Sequence, residues 1–252
     1  MKKLILFFVF ALAATVVKAQ AGYNYKEFAI GLDIGYARGY TNINRQDNNL
    51  TQSINFTYNY SPYIPITAEL QFGKLSGGGL TPNLDPYGRM YVNKYEAFVL
   101  HGDFQLGEVI DYSESDILNV VKNFYFGSGA GIVFNNNVVQ RTNVYDGTGG
   151  LPNYGDRNYV FPGKDNSINI TIPLRFGYEF KIYNDYEEPY MAIDIGYVHN
   201  MVFGEGLDGY DDPSGKFKNN ATNQYRQFTI GVKFNFGNVT SFNKLIRRFS
   251  QF

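Results

Sequence analysis

Cysteine and tryptophan are absent from the 252 residues, and histidine occurs only twice. Without cysteine there is no disulfide framework, no thiolate metal site and no acylation site of the lipoprotein kind. The 22 basic and 23 acidic residues leave a formal net charge of −1, so the electrostatic footprint of a nucleic-acid binder is missing. Past the N-terminal segment, no apolar run approaches the ~20 residues of a membrane-spanning helix. What is abundant is Tyr (22), Phe (22) and Gly (27). Aromatic side chains suit a pleated, half-buried surface, and glycine without a collagen period suits turns and crowded strand faces. The length fits one all-β domain.

The N-terminus is the one apolar exception. Lys2 and Lys3 precede an apolar stretch from Leu4 to Val17, which Lys18 interrupts. That stretch is short for an uncleaved membrane anchor, and Val17 and Ala19 occupy the small-residue positions of a cleavage site. Residues 1–19 are therefore expected to be a signal peptide, with the exported chain starting at Gln20.

Alternation with a period of two recurs along the rest of the chain. From Ser167 to Ile182, one face carries Ile168, Ile170, Ile172, Leu174, Phe176, Tyr178, Phe180 and Ile182. The other carries Asn169, Thr171, Pro173, Arg175, Gly177, Glu179 and Lys181. A helix would scatter these two sets around its axis. The same pattern marks strands near 28–36, 54–60, 64–72, 191–197 and 228–236, with two less regular ones near 93–106 and 122–134. An even number of strands closes an antiparallel barrel. The expected fold is all-β: an eight-stranded antiparallel up-and-down transmembrane β-barrel over residues 20–237.

Alternation alone does not say which face meets lipid, because a soluble lipocalin-like barrel alternates with its apolar face inward. Three features favour the membrane. The runs, at about ten residues, are long enough to cross a bilayer when tilted. The polar face holds Gly127, Gly129, Gly131, Gly177, Gly196 and Gly231 beside isolated charges, as a narrow lumen requires. Connections also alternate in length. Long ones are expected near 39–50, 74–92, 135–166 and 200–224, and inward ones near 61–62, 107–121 and 183–187. In the longest inward connection, Ser113-Glu-Ser-Asp116 before Ile117, Leu118, Val120 and Val121 predicts a capped helical turn.

A signal peptide, eight strands, four long outer loops and a last strand ending Gly231-Val-Lys-Phe-Asn-Phe236 resemble the small outer-membrane barrels of Gram-negative bacteria, the OmpA and OmpX type. The resemblance covers nearly all of residues 25–237. It implies residence in the cell outer membrane among lipid and lipopolysaccharide. It also implies that the barrel-assembly machinery reads the terminal aromatic strand. The chain departs from that pattern by continuing from Gly237 to Phe252. Residues 238–252 form a short basic tail in which Phe242, Leu245, Ile246 and Phe249 fit helical spacing, as in an amphipathic helix on anionic headgroups, or else a frayed terminus.

Six charges are expected to point inward as a polar network: Asp33, Glu69, Asp103, Arg175, Asp194 and Lys233. An Arg or Lys on the lipid face near the midplane costs roughly 2–4 kcal/mol, which favours this inward register. A tight turn near Asn184 would set Arg175 opposite Asp194, and barrel closure would bring Asp33 near Lys233. Such a network is either a structural plug or a charged gate. Of the two histidines, His199 lies at the expected outer rim in Tyr197-Val-His-Asn-Met201. A deacylase built on such a barrel places a serine near its histidine, and none is near here. In the loop at 204–216, Glu205, Asp208, Asp211 and Asp212 lack the offsets of an EF-hand. No catalytic site, metal site or cofactor is expected. The expected function is a structural or surface-recognition protein acting through its external loops, toward a ligand the sequence does not name. A passive small-solute pore and a soluble lipocalin-like barrel remain as alternatives.

Overall fold

The computed structural model describes residues 23–81, 83–112, 115–143, 159–213 and 222–242. The expected signal peptide, most of the C-terminal tail, parts of three outer loops and residues 113–114 of the longest inward connection lie outside these residues. The long strands are β1 (Tyr23–Tyr40), β2 (Asn49–Ser61), β3 (Ile64–Gly78), β4 (Met90–Gln105), β5 (Phe124–Val139), β6 (Asn166–Tyr183), β7 (Pro189–Phe203) and β8 (Gln224–Phe242). Each pairs antiparallel with its chain neighbours, and β1 pairs with β8 to close the ring. A two-residue strip, Gln46–Asp47, adds to the outer end of β3. The shortest of the eight has 13 residues, more than the roughly 9–11 that a tilted strand needs to cross a bilayer.

Burial is inverted relative to a soluble protein. In β2, Thr51, Ser53, Asn55 and Thr57 are buried while Leu50, Ile54, Phe56 and Tyr58 are exposed. The same inversion runs through β1 and β8, where Ile30, Leu32, Ile34, Ile230, Phe234 and Phe236 all face outward. A lipocalin-like barrel needs an apolar interior; this one has an amide, hydroxyl and charged interior, which removes that alternative.

The connection between β4 and β5 lies at the inner end. A 3-10 turn at Leu106–Glu108 leads to the helix α1 (Asp116–Val121), whose N-cap Ser115 Oγ accepts from Leu118 N. This is the capped turn that the sequence predicts. Lys181 Nζ donates to Pro62 O (2.5 Å) and Gln105 Oε1 (2.7 Å), and Tyr63 donates to the Tyr112 hydroxyl (2.8 Å).

Two boundaries differ from expectation. β8 continues through Gly237 (φ 93°) to Phe242, pairing with Lys26 back to Tyr23. Phe242 thus belongs to a strand rather than to a tail helix; Leu245, Ile246 and Phe249 lie outside the described residues. The connection between β6 and β7 occupies Asn184 to Glu188, centred later than Asn184. Asn184 Oδ1 accepts from Tyr186 N and Glu188 N, and Glu187 adopts a positive φ of 61°. This longer turn shifts the register, with consequences in the lumen.

Candidate functional site

The lumen has two tiers. The inner tier holds the six expected charges together with His101, Glu179 and Lys181. Arg175, on β6, crosses the lumen to β3 and β4, donating from Nη1 to Glu69 Oε2 (3.1 Å) and from Nε to Asp103 Oδ1 (3.2 Å). His101 sits between the same carboxylates, with Nδ1 3.3 Å from Asp103 Oδ1 and Nε2 3.6 Å from Glu69 Oε2. Lys233 pairs with Glu179. Asp33 accepts from Ser53 Oγ (2.9 Å) and from the Asn55 amide. Asp194 accepts from the Tyr125 hydroxyl (3.0 Å).

Arg175 is not set opposite Asp194; barrel closure does bring Asp33 and Lys233 near each other as diagonal neighbours across the β1–β8 seam, but without an ion pair between them. The register sets Arg175 opposite Val198, and Glu179 opposite Asp194. Asp33 lies opposite Gly231, and Lys233 opposite Gly31. The reasons are the longer turn before β7 and the reach of the side chains, which bond across the lumen rather than to the next strand. Parity along β4 already places His101 on the face of Asp103, and parity along β6 places Glu179 and Lys181 on the face of Arg175. That was the available signal for the three members the six-residue set lacks.

Glycines make this packing possible. A Cβ at Gly231 would lie 1.6 Å from Asp33 Oδ1, and one at Gly127 would lie 2.0 Å from Asp103 Oδ1. The Tyr125 side chain lies over Gly177 and Gly196, where a Cβ would come within 2.5 Å and 2.8 Å of its hydroxyl. Each carboxylate or phenol thus rests on a bare backbone.

The outer tier is uncharged. Gln227 Nε2 donates to the Tyr95 hydroxyl (2.9 Å) and to Gln71 Oε1 (3.2 Å), which also accepts from the Tyr225 hydroxyl (3.2 Å). Asn93, Asn135 and Asn169 form an amide chain at 2.7 and 2.9 Å. Above it, the outer loops fold inward on a small apolar core that includes Ile43, Leu75, Tyr91, Phe161, Leu207 and Tyr210. Asn93 Nδ2 donates to Leu207 O (2.8 Å), and Asn137 Nδ2 to Gly206 O (2.8 Å). Arg89 fastens the cap between Asp85 (3.0 Å) and Asp212.

The chain is similar in fold to small outer-membrane barrels. Against the attachment invasion locus protein Ail of Yersinia pestis, the TM-score is 0.42 at 12% identity, covering 84% of this chain and 99% of that one. Ail is also known in complex with the heparin analogue sucrose octasulfate. Neisserial surface protein A aligns with a TM-score of 0.40 at 12% identity, over 83% of this chain and 97% of that one. For OprG from Pseudomonas aeruginosa the values are 0.36 and 12%, over 84% and 98%. No protein-family model matches this chain, and no curated protein does.

His199 lies on the outward face of β7, with Nε2 2.9 Å from Gln224 Oε1 and Nδ1 3.5 Å from the Tyr197 hydroxyl. Among the described residues, no serine or threonine hydroxyl bonds to either histidine. The acidic loop residues serve separate partners. Asp208 accepts from Tyr210 N (3.0 Å), Asp212 binds Arg89, and Glu205 accepts from Asn223 Nδ2 (3.2 Å). No group of three or more His, Cys, Asp or Glu side chains arranged to hold a metal occurs among the described residues.

The cap carries its own pH response. Burial pushes the Asp208 carboxyl up to about 6, and raises Asp212 in the same direction. A carboxyl with a raised folded-state pKa binds its proton more tightly in the folded cap than in the unfolded chain. Its contribution to stability therefore grows as pH falls through 6 toward its unfolded value near ~4. Amide exchange at Gly206 to Tyr210, corrected for intrinsic rates, is expected to show a tighter cap at pH 5 than at pH 7. Asp208→Asn keeps the acceptor for Tyr210 N and should flatten that difference, which is about 1 kcal/mol between pH 7 and pH 5. An unchanged pH slope in the variant would assign the response elsewhere.

Proposed function

We propose that this protein is a sealed, non-enzymatic barrel of the bacterial outer membrane that presents its external loops on a rigid cap for recognition at the cell surface. The observation that carries the reading is the inverted burial around a filled lumen. An apolar exterior of this extent is stable only against lipid. A lumen crossed by Arg175, Tyr125, Tyr95, Tyr225 and Gln227 leaves the strands no open path. Eight strands give an interior just wide enough for side chains to fill, and here the side chains bond to one another across it. Lipid and lipopolysaccharide surround the wall, and the aromatic end of β8 suits reading by the barrel-assembly machinery during insertion.

The recognition part rests on the outer face. A concavity of about 1020 Å³ near the outer rim is lined by Lys94, Glu96, Lys164, Glu205 and Asp211 together with Tyr210. Charges of both signs beside aromatic and asparagine side chains suit a polar protein or glycan surface. Solute release from liposomes carrying the refolded protein, with incorporation checked by flotation, tests the seal. Release no faster than from empty liposomes is expected. Release that scales with incorporated protein would replace this reading by a passive pore.

A further inference from the structure

Six arginines fall within the described residues, and four of them, Arg45, Arg89, Arg141 and Arg175, form an ion pair with a carboxylate. The other two, Arg38 and Arg226, have no such partner and stand directly opposite each other across the β1–β8 seam. Both share the outward parity of Tyr36 and Phe228, two residues from the outer ends of their strands. A second like-charged pair, Lys74 and Lys94, stands directly opposite across β3 and β4 near the same rim. Like charges directly opposite one another destabilise a sheet. The lysine pair has Glu96 beside it on the same face, one step along the register, whereas every described arginine other than Arg38 and Arg226 has its acid, so the uncompensated arginine pair calls for an external anion.

The surroundings of the arginine pair define that anion. Arg38 and Arg226 line a pocket of about 270 Å³ with Tyr36, Asn48 and Phe228. The Arg226 guanidinium is held 5.0 Å over the Tyr40 ring, and Arg38 Nε is buried without a hydrogen-bond partner. Directly below, and sharing Tyr36 and Phe228, lies an apolar groove of about 360 Å³ lined by Ile34, Leu50, Ile195 and Ile230. A cationic pocket stacked on an apolar groove, both opening sideways from the wall, fits an amphiphile. Guanidinium forks match phosphate oxygens bidentately.

We propose that Arg38 and Arg226 clamp a phosphate of a phosphorylated glycolipid in the outer leaflet, with an acyl chain lying in the groove over Tyr36 and Phe228. This rests on the outer-membrane reading above, and makes one bound lipid part of the folded wall. The anion relieves the repulsion between the two arginines, so the site stabilises the β1–β8 seam when occupied.

The test uses the refolded protein in zwitterionic detergent, with bisphosphorylated lipid A and its dephosphorylated counterpart as probes and native mass spectrometry as the readout. The wild type is expected to retain the phosphorylated lipid. The Arg38→Gln/Arg226→Gln variant should retain about tenfold less or lower still, and Arg45→Gln should match the wild type. Without lipid, the double variant is expected to unfold at a higher temperature than the wild type, because the repulsion is gone. Added phosphorylated lipid should raise the unfolding temperature of the wild type alone. Equal retention by the double variant would overturn the proposal, as would equal retention of the dephosphorylated lipid. Displacement by millimolar inorganic phosphate would also overturn it, assigning the site to a soluble anion. Failure of the wild type to float with vesicles would instead remove the outer-membrane reading, and this inference with it.

Discussion

Replacing Arg175 by alanine is expected to lower the unfolding free energy of the barrel by about 3–5 kcal/mol, the cost of leaving buried charges without their partner. Arg175 binds Glu69 and Asp103 from the opposite wall, and the three side chains are at most 10% exposed. Its loss strands two carboxylates beside each other with only His101 between them. Arg175→Lys should recover only part of the loss, because an ammonium lacks the planar fork that serves acceptors on two different strands. Combining Arg175→Met with Glu69→Gln and Asp103→Asn should recover most of it, since removing a whole buried ionic group is far less damaging than breaking it. Urea unfolding in detergent micelles, followed by the gel mobility shift of folded barrel, measures all four proteins. An alanine variant within about 0.5 kcal/mol of wild type would mean that these charges are solvated. The lumen would then be a water-filled path.

The second large effect is expected on the outside. Leu32 is 64% exposed at the middle of β1, opposite Val232 of β8. In water, Leu32→Arg would be close to neutral, as surface substitutions usually are, within about 0.5 kcal/mol. Against lipid it should cost roughly 2–4 kcal/mol at the midplane, falling to about 0–1 near an interface. Leu50, 54% exposed at the outer end of β2, supplies the comparison. Folding titrations into phosphatidylcholine vesicles should therefore give a large penalty for Leu32→Arg and a small one for Leu50→Arg. Equal small penalties would place the apolar belt somewhere other than in a bilayer, and with it the reading of the whole exterior.

The arginine substitutions at positions 32 and 175 probe the same principle from opposite sides. An arginine inside is stable because Glu69 and Asp103 meet it. One outside at the midplane has no partner. At the rim, Arg38 and Arg226 occupy the intermediate case, where a headgroup can serve as the partner. The outer half of the lumen needs no such compensation, because Gln71, Asn93, Asn135 and Gln227 carry no charge and bond to one another.

The strands and the side each residue faces were legible in the amino-acid order, because side-chain direction in a strand depends only on whether the position is odd or even. Parity put Asp33, Glu69, Asp103, Arg175, Asp194 and Lys233 inside, and the same rule extends to His101, Glu179 and Lys181. Glycines at 127, 177, 196 and 231 were legible as inward residues, and the helical turn at α1 was announced by Ser115. Which charge meets which was not legible. It depends on register, and register depends on the turn from Asn184 to Glu188, which is centred later than a tight turn at Asn184 would be. It depends also on side-chain reach, since Arg175 bonds to strands several places away around the ring. The cap was beyond pattern reading for the same reason: Tyr210 bonds to Met90 and Gln140, and Arg89 to Asp212, across separations that carry no period. Alternation is local and survives in one dimension; partner choice across a closed ring is a property of three.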